Sequence, residues 1–158
     1  MPPASTVLRA PSSAPASAAA KTDYRLEDQA GHLMRRAHQR HTALFQEIMG
    51  TLELTPTQFA ALAKIKDLGE VTQNLLGRLT AMDPATIQGV VQRLHARGFV
   101  ARRPDPTDRR VMVLSLTAGG ARAARDAIAR GREITHATLA PLTPAEQQVF
   151  VNLLRKLS

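Results

Sequence analysis

The sequence predicts a mostly α-helical chain that carries one small β-hairpin. Threonine or aspartate followed by proline recurs along the chain, and this pairing caps a helix while proline takes a position where its missing N–H does no harm. Between these starts, apolar residues recur at helical spacing. Two strand-like runs, "FVARR" and "RVMVLSL", flank the turn "PDPTDR" and predict the hairpin.

Length and composition fit one domain with a basic surface. The chain has 158 residues, of which 44 % are apolar, enough for a core. Its 21 basic and 13 acidic side chains give a net charge of +8, which favours nucleic acid, an anionic membrane or an acidic protein as partner, or simply keeps the chain soluble. The absence of cysteine excludes disulfides and thiolate zinc sites. No apolar run approaches the roughly 18 residues of a membrane-spanning helix, so we expect a cytoplasmic protein.

Residues 1–22 differ from the rest in composition. The stretch "MPPASTVLRAPSSAPASAAAK" is almost entirely Ala, Pro and Ser, and cannot bury enough apolar surface to offset its ordering entropy. It predicts a disordered tail before a single domain over residues 23–158. A signal peptide is the alternative, although prolines and serines interrupt the apolar core that it needs.

Three helices are predicted before residue 80. The first lies within residues 25–49, with "TPTQ" at Thr55 forming a capping box for the second and Thr72 capping a short third. The apolar face of the first helix comprises Ala30, Leu33, Ala37, Leu44 and Ile48.

The fourth helix starts at Asp83 and ends at Gly98. Its inward residues, spaced i, i+3, i+4, i+7, are Ile87, Val90, Val91 and Leu94. The opposite face shows Ala85, Gly89, Gln92 and Ala96, flanked by Thr86, Gln88 and Arg93. Small residues let a helix enter a groove, and Gln pairs with adenine. Gly89 costs roughly 1 kcal/mol of helix propensity relative to Ala, which favours a close backbone approach there. An ordinary solvated face remains the alternative.

Two helices are predicted after the hairpin. An Ala-rich fifth helix runs from Thr117 to about Thr138, and "TPAE" at Thr143 starts the sixth. The residues expected to face inward on the sixth helix are Val149, Phe150, Leu153, Leu154 and Leu157. Helix, helix, short helix, helix and hairpin is the order of a winged helix-turn-helix, in which the charged hairpin is the wing.

The wing concentrates charge at its tip. Arg110 could enter the minor groove of DNA, where narrow A·T-rich stretches concentrate negative potential, and Asp108 could brace its guanidinium. A simple ion-pair turn is the alternative, although exposed ion pairs contribute only ~0–1 kcal/mol.

At these residues the chain resembles the MarR family of transcriptional regulators. The wing signature is matched by Asp108, Arg110, Leu116 and Thr117 within "DRRVMVLSLT", and the resemblance covers about residues 26–157. It implies a homodimer that binds double-stranded operator DNA, with dimerisation helices at about 25–49 and 118–157 and a DNA-binding part at about 55–116. The implied DNA-binding residues are Thr86, Gln88, Gly89, Gln92, Arg93, Asp108, Arg109 and Arg110. Pseudo-palindromic half-sites about one helical turn (~10 bp) apart are expected.

The first helix carries three histidines, of which His38 and His41 lie on or beside its apolar face. A hydrogen-bonded pair at a dimer seam is one interpretation. An effector site is another: the resemblance implies a site between the first helix, the winged domain and the fifth helix, commonly occupied by aromatic carboxylates, and Arg40, His38 or His41 would suit a carboxylate. A metal site that borrows His136 is a third, which the sequence does not require.

No motif predicts an enzyme. A phosphate loop, a nucleophile elbow and a His-Glu-x-x-His motif are all missing from the sequence. The resemblance implies instead a repressor released by a small aromatic-acid effector, and we expect no cofactor, metal or membrane partner. The alternative is an architectural nucleic-acid binder that uses charge alone and reads no sequence.

Overall fold

Six α-helices and one three-stranded antiparallel sheet make up residues 24–158, the part of the chain that a computed structural model describes. The predicted tail, residues 1–22, lies outside the described residues. The helices are α1 Ala30–Met49, α2 Pro56–Leu68, α3 Gln73–Leu79, α4 Pro84–Ala96, α5 Ala118–Leu139 and α6 Pro144–Leu157. The strands are β1 Glu70–Thr72, β2 Val100–Pro104 and β3 Met112–Leu116. Short 3-10 turns at Leu26–Asp28 and Gly50–Leu52 flank α1.

The predicted helix starts are confirmed atom by atom. The Gln58 backbone N–H donates to Thr55 Oγ1 at 3.2 Å, and the Gln58 side chain returns the bond by accepting from the Thr55 backbone. Thr143 and Glu146 make the same reciprocal capping box on α6. Asp83 accepts from the Thr86 N–H at 2.9 Å. A cap of this kind typically contributes ~1 kcal/mol, so local sequence fixes where these helices begin.

The hairpin is confirmed, and a third strand joins it. The sheet order is β1-β3-β2, with Val100 opposite Leu116 and Val71 opposite Leu114. The sequence predicted two strands and only a helix cap at Thr72. Three residues are too few to show the period-2 alternation of a strand, and β1 exists because β3 offers its second edge for pairing.

The predicted inward residues of α4 are buried. Val90, Val91 and Leu94 are each at most 1 % exposed and pack with α2, α3 and the sheet. Further along the chain, Ala124 and Ala127 bury one side of α5 against α1 and α2. The winged part and the long helix α5 therefore share one core.

The predicted inward face of α6 was wrong for the single chain. Val149 is 57 % exposed and Leu157 is 76 % exposed, because within residues 24–158 no element packs extensively on that face. Likewise Leu33 on α1 is 49 % exposed, whereas Phe45 and Met49 are buried instead. The stripes predicted for the two helices thus lie largely on the outside of the chain.

Within residues 24–158, no helix combines the length and the apolar character needed to cross a membrane.

Candidate nucleic-acid interface and effector groove

The inward anchors of α4 leave its opposite face open. Gln88, Gln92 and Arg93 are exposed, and Gly89 is half-buried. The Thr86 hydroxyl is also exposed but donates to Asp83 Oδ2 at 2.6 Å. Hydrogen bonds from the Thr86 side chain, and then from its backbone, hold the pKa of Asp83 below its ordinary value. Four of the five predicted helix residues therefore offer free surface, while Thr86 is engaged in the cap.

Nothing inside the described chain requires glycine at position 89. A Cβ added to Gly89 would meet only the Arg93 guanidinium, at an ordinary 3.5 Å. The missing side chain leaves the middle of the outer face of α4 open, and no contact within residues 24–158 accounts for it.

A tight turn fixes α4 against α3. A Cβ at Gly77 would lie 3.2 Å from both the Met82 carbonyl oxygen and Ile87 Cγ2, so the two helices approach closely there. Ala81, with φ 53°, makes the left-handed bend between them. The Thr80 hydroxyl donates to the Leu76 carbonyl at 2.6 Å and closes the last turn of α3. These contacts set the orientation of α4, and of its exposed face with Gln88 and Gln92, relative to α3.

The wing turn is held by Asp105, a residue that the sequence reasoning missed. Its Oδ1 accepts from the Thr107 hydroxyl and from the Thr107 N–H at 2.8 Å, and these two bonds, the hydroxyl bond most, lower the pKa of Asp105. The Asp105 N–H donates to the Val111 carbonyl at 2.8 Å across the hairpin. The signal was present in the sequence, since Asp two residues before Thr in a proline turn is typical of an Asx turn.

Arg110 projects from the wing and is braced as predicted by Asp108. The guanidinium Nε donates to Oδ1 at 3.1 Å and Nη2 to Oδ2 at 3.3 Å, while the Arg110 N–H also bonds Oδ1 at 3.0 Å. These bonds lower the pKa of Asp108, the side-chain bond most. The Arg110 side chain remains 91 % exposed, and Arg109 beside it is exposed as well. The tip thus presents two cations, one of them held in a fixed direction.

His38 and His41 line one groove between α1, α5 and α6, whereas Arg40 is directed elsewhere. The groove has a volume of about 620 Å³. His41 Nδ1 lies 2.9 Å from Thr138 Oγ1. Arg40 donates to the carbonyls of Thr138 at 2.7 Å and Ala137 at 3.0 Å, and so caps the C-terminal end of α5. The apolar residues of the groove are Leu33, Met34, Ala37, Leu139, Phe150, Val151 and Leu154.

A second hollow, of about 570 Å³, lies between α2, α3 and α5. Lys64, Asp67, Thr80 and Arg132 give it a more polar lining than the groove. Sequence reasoning missed it because its residues come from three separate helices at no shared spacing. In the described part of the chain, no three His, Asp or Glu side chains stand close enough together to hold a metal ion.

Comparison with known proteins relates this geometry to one family. Residues 52–111 match a model described as MarR family. The chain is 42 % identical over 147 residues to the HTH-type transcriptional repressor NicR of Pseudomonas putida, covering 93 % of this chain and 91 % of that protein.

Two solved structures share the architecture. One, reported on the mechanism by which 6-hydroxynicotinic acid regulates DNA binding by Bordetella bronchiseptica BpsR, has a TM-score of 0.81 and 40 % identity over 85 % of this chain and 96 % of that one. The other is a mutant of Escherichia coli MarR complexed with operator DNA, with a TM-score of 0.74 and 27 % identity over 80 % of this chain and 91 % of that one. Both fold and sequence are thus shared over most of the length, and the chain belongs to the MarR family of transcriptional regulators.

Proposed function

We propose that this regulator is a homodimeric repressor that binds a pseudo-palindromic operator and is released from it by an aromatic carboxylate. The observation that carries the proposal is the wing: Asp108 fixes an Arg110 side chain that is 91 % exposed. Exposed ion pairs add only ~0–1 kcal/mol to stability, so an aimed cation at a hairpin tip is better explained by an anionic ligand than by folding. Because the proposed partner is operator DNA, we propose that the protein acts in the cytoplasm.

On the DNA side, α4 takes the major groove and the wing takes the minor groove. Gln88 and Gln92 read base edges, where a side-chain amide pairs with adenine, and Arg93 reads bases or phosphates. Gly89 lets the helix approach the base pairs closely. Thr86 donates its hydroxyl proton to Asp83, so it can bind a phosphate only by giving up that bond and donating to a phosphate oxygen instead. Arg110 enters the minor groove and Arg109 contacts the flanking phosphates.

A second copy of the chain covers the apolar faces of α1 and α6. Leu153 is 51 % exposed and Val149 is 57 % exposed, and neither lines the groove; both belong to a surface that a monomer would leave in water. Twofold pairing of this surface makes the interface self-complementary and sets two α4 helices at a fixed separation. Half-sites about one helical turn (~10 bp) apart follow from that arrangement.

The effector binds where the groove meets His38 and His41. Because a relative at 40 % identity has its DNA binding regulated by 6-hydroxynicotinic acid, the class proposed here is a hydroxylated aromatic or heteroaromatic acid. Apolar groove walls suit the ring, and imidazole donors suit the carboxylate. Arg40 joins them only by exchanging its two carbonyl partners on α5 for the ligand. Release from DNA then requires that the ligand prefer a dimer whose recognition helices have the wrong spacing.

The test is fluorescence anisotropy with labelled operator DNA, titrated with 6-hydroxynicotinate and, as a control, with its neutral carboxamide. We expect the acid to release the DNA and the carboxamide to leave it bound. His41→Ala should abolish release, while Thr138→Val, which breaks the same 2.9 Å contact but keeps the imidazole, should retain it. A folded His41→Ala dimer that still responds would show that the groove is not the effector site.

A further inference from the structure

The connector between α1 and α2, residues 50–55, contains backbone carbonyls that have no hydrogen-bond donor within a helix. It begins with a 3-10 turn at Gly50–Leu52, and Glu53 then adopts the left-handed conformation, with φ 48° and ψ 40°. The carbonyls at the end of α1 and in this turn therefore need donors from elsewhere, because a helix leaves its last four carbonyls without partners inside the helix.

Arg130 on α5 supplies donors at one end of the connector. Its Nη1 donates to the Met49 carbonyl at 2.8 Å and to the Ile48 carbonyl at 3.2 Å, and its Nη2 reaches Thr51 Oγ1 at 3.4 Å. The guanidinium sits at the C-terminal end of α1, where a cation is favoured by the helix dipole. One arginine thus joins the two long helices to the start of the connector.

Arg97 supplies donors at the other end. This residue caps the C-terminus of α4, the recognition helix, and its Nη1 donates to the Glu53 carbonyl at 2.8 Å while Nη2 donates to the Leu52 carbonyl at 3.0 Å. The guanidinium lies over the Phe99 ring, 4.7 Å from its centroid. Ring and fork together hold the arginine in one plane, which a lysine could not reproduce.

Only residues 50 and 51 separate the carbonyls held by the two arginines. Within residues 24–158, α4 packs on α2, α3 and β2 and makes at most marginal direct contact with α1 or α5. α2 packs on both α4 and α5, and the start of α5 lies against Phe99. To this packing the path from α5 through Arg130, the connector and Arg97 adds a hydrogen-bonded connection between the end of the recognition helix and the long helices.

We propose that Arg97 and Arg130 form a clamp on the connector that fixes the angle of the recognition helix relative to α1 and α5, and so sets the half-site spacing that the dimer accepts. Both are positioning residues and neither needs to touch DNA. This inference rests on the proposed function, because α1 and α5 must belong to the dimer for their angle to α4 to set a spacing.

The first readout needs no DNA. The chain has no cysteine, so Gln92→Cys gives one spin-label site in each copy of a dimer. Double electron–electron resonance between the two labels then reports the distance between the two α4 helices. We expect a narrow distribution in this background, and a distribution at least twice as wide after Arg97→Gln or Arg130→Gln. Arg97→Lys keeps the charge but loses the fork, and should broaden it too. Arg125→Gln, which removes a charge from an exposed position on α5, should not.

The second readout is the ratio of affinities for the operator and for the same operator with one base pair inserted between its half-sites. The insertion adds about 3.4 Å and roughly a tenth of a turn. The clamp variants should lower this ratio at least threefold, and Arg125→Gln should leave it unchanged. Folded dimers of both Gln variants with an unchanged distribution and ratio would overturn the clamp. Loss of the proposed function itself would show differently, as a wild-type protein without preference for operator DNA.

Discussion

Alanine at Gly120 and alanine at Gly119 should have opposite effects on stability, although the two residues are neighbours in the first turn of α5. A Cβ at Gly120 would lie 1.8 Å from the Phe99 carbonyl oxygen and 2.7 Å from its carbon. A Cβ at Gly119 would meet its nearest neighbour, Thr117 Oγ1, at an ordinary 3.7 Å. The pair isolates one contact, that between α5 and the start of the hairpin.

The size of the effect follows from that geometry. Real Cβ contacts essentially never fall below 3.0 Å, so either α5 or the Phe99 backbone has to move by about 1.2 Å. The Phe99 carbonyl also accepts from the Thr117 N–H at 3.1 Å, and such a shift would strain that bond. Overpacking costs ~1–3 kcal/mol and a damaged hydrogen bond ~1 kcal/mol, while alanine regains up to ~1 kcal/mol of helix propensity. Gly120→Ala should therefore lose about 1–3 kcal/mol, whereas Gly119→Ala should gain up to ~1 kcal/mol.

Thermal unfolding followed by circular dichroism, at one protein concentration because a dimer melts in a concentration-dependent way, measures both variants. At ~2–4 °C per kcal/mol, Gly120→Ala should melt roughly 2–12 °C below wild type and Gly119→Ala up to ~4 °C above it. Equal shifts of the same sign in the two variants would refute the close approach of α5 to Phe99.

Three further predictions concern the recognition unit. Ala81→Gly should raise the melting temperature by roughly 1–3 °C, because glycine relieves a left-handed φ of 53° at a cost in unfolded-state entropy; a lower melting temperature would contradict this. The pKa of Asp83 is lowered below its ordinary 3.8 by Thr86, so its cap on α4 stabilises fully above that pH and is lost as the pH falls through the lower folded value. Acid titration should accordingly destabilise wild type more than Asp83→Ala. Asp108→Ala should weaken operator binding at moderate salt although it removes a negative charge from beside the DNA, since Arg110 loses its brace; tighter binding would show that charge alone acts there.

Local signals in the sequence predicted most of the fold. Thr55 and Thr143 predict helix starts because their capping bonds lie within four residues. The i, i+3, i+4, i+7 pattern of α4 correctly predicts four buried side chains. The brace between Asp108 and Arg110 was predictable for the same reason, because only one residue separates them. Contacts between residues that are close in sequence can be predicted from short sequence patterns.

Contacts between residues far apart in sequence could not be predicted in this way. Arg40 was predicted to be a cation available to an effector beside two histidines. Its guanidinium instead donates to carbonyls at the end of α5, nearly a hundred residues away in sequence. Strand β1 depends on an edge of β3 that its own three residues do not reveal. Sequence spacing predicted an inward apolar face on α6, but spacing alone cannot tell a core from a surface left for a second copy; only the family resemblance placed α6 among the dimerisation helices.

The central claim is that α4 and the wing read a sequence. Its most direct test is fluorescence anisotropy with DNA from upstream of the protein's own gene, beside scrambled DNA of equal length, at two salt concentrations. The account predicts a preference of ~10³ or more for the upstream DNA, with a palindromic footprint, at both concentrations. Equal binding to the two DNAs, lost alike as salt rises, would contradict it and identify a protein that binds phosphate by charge alone.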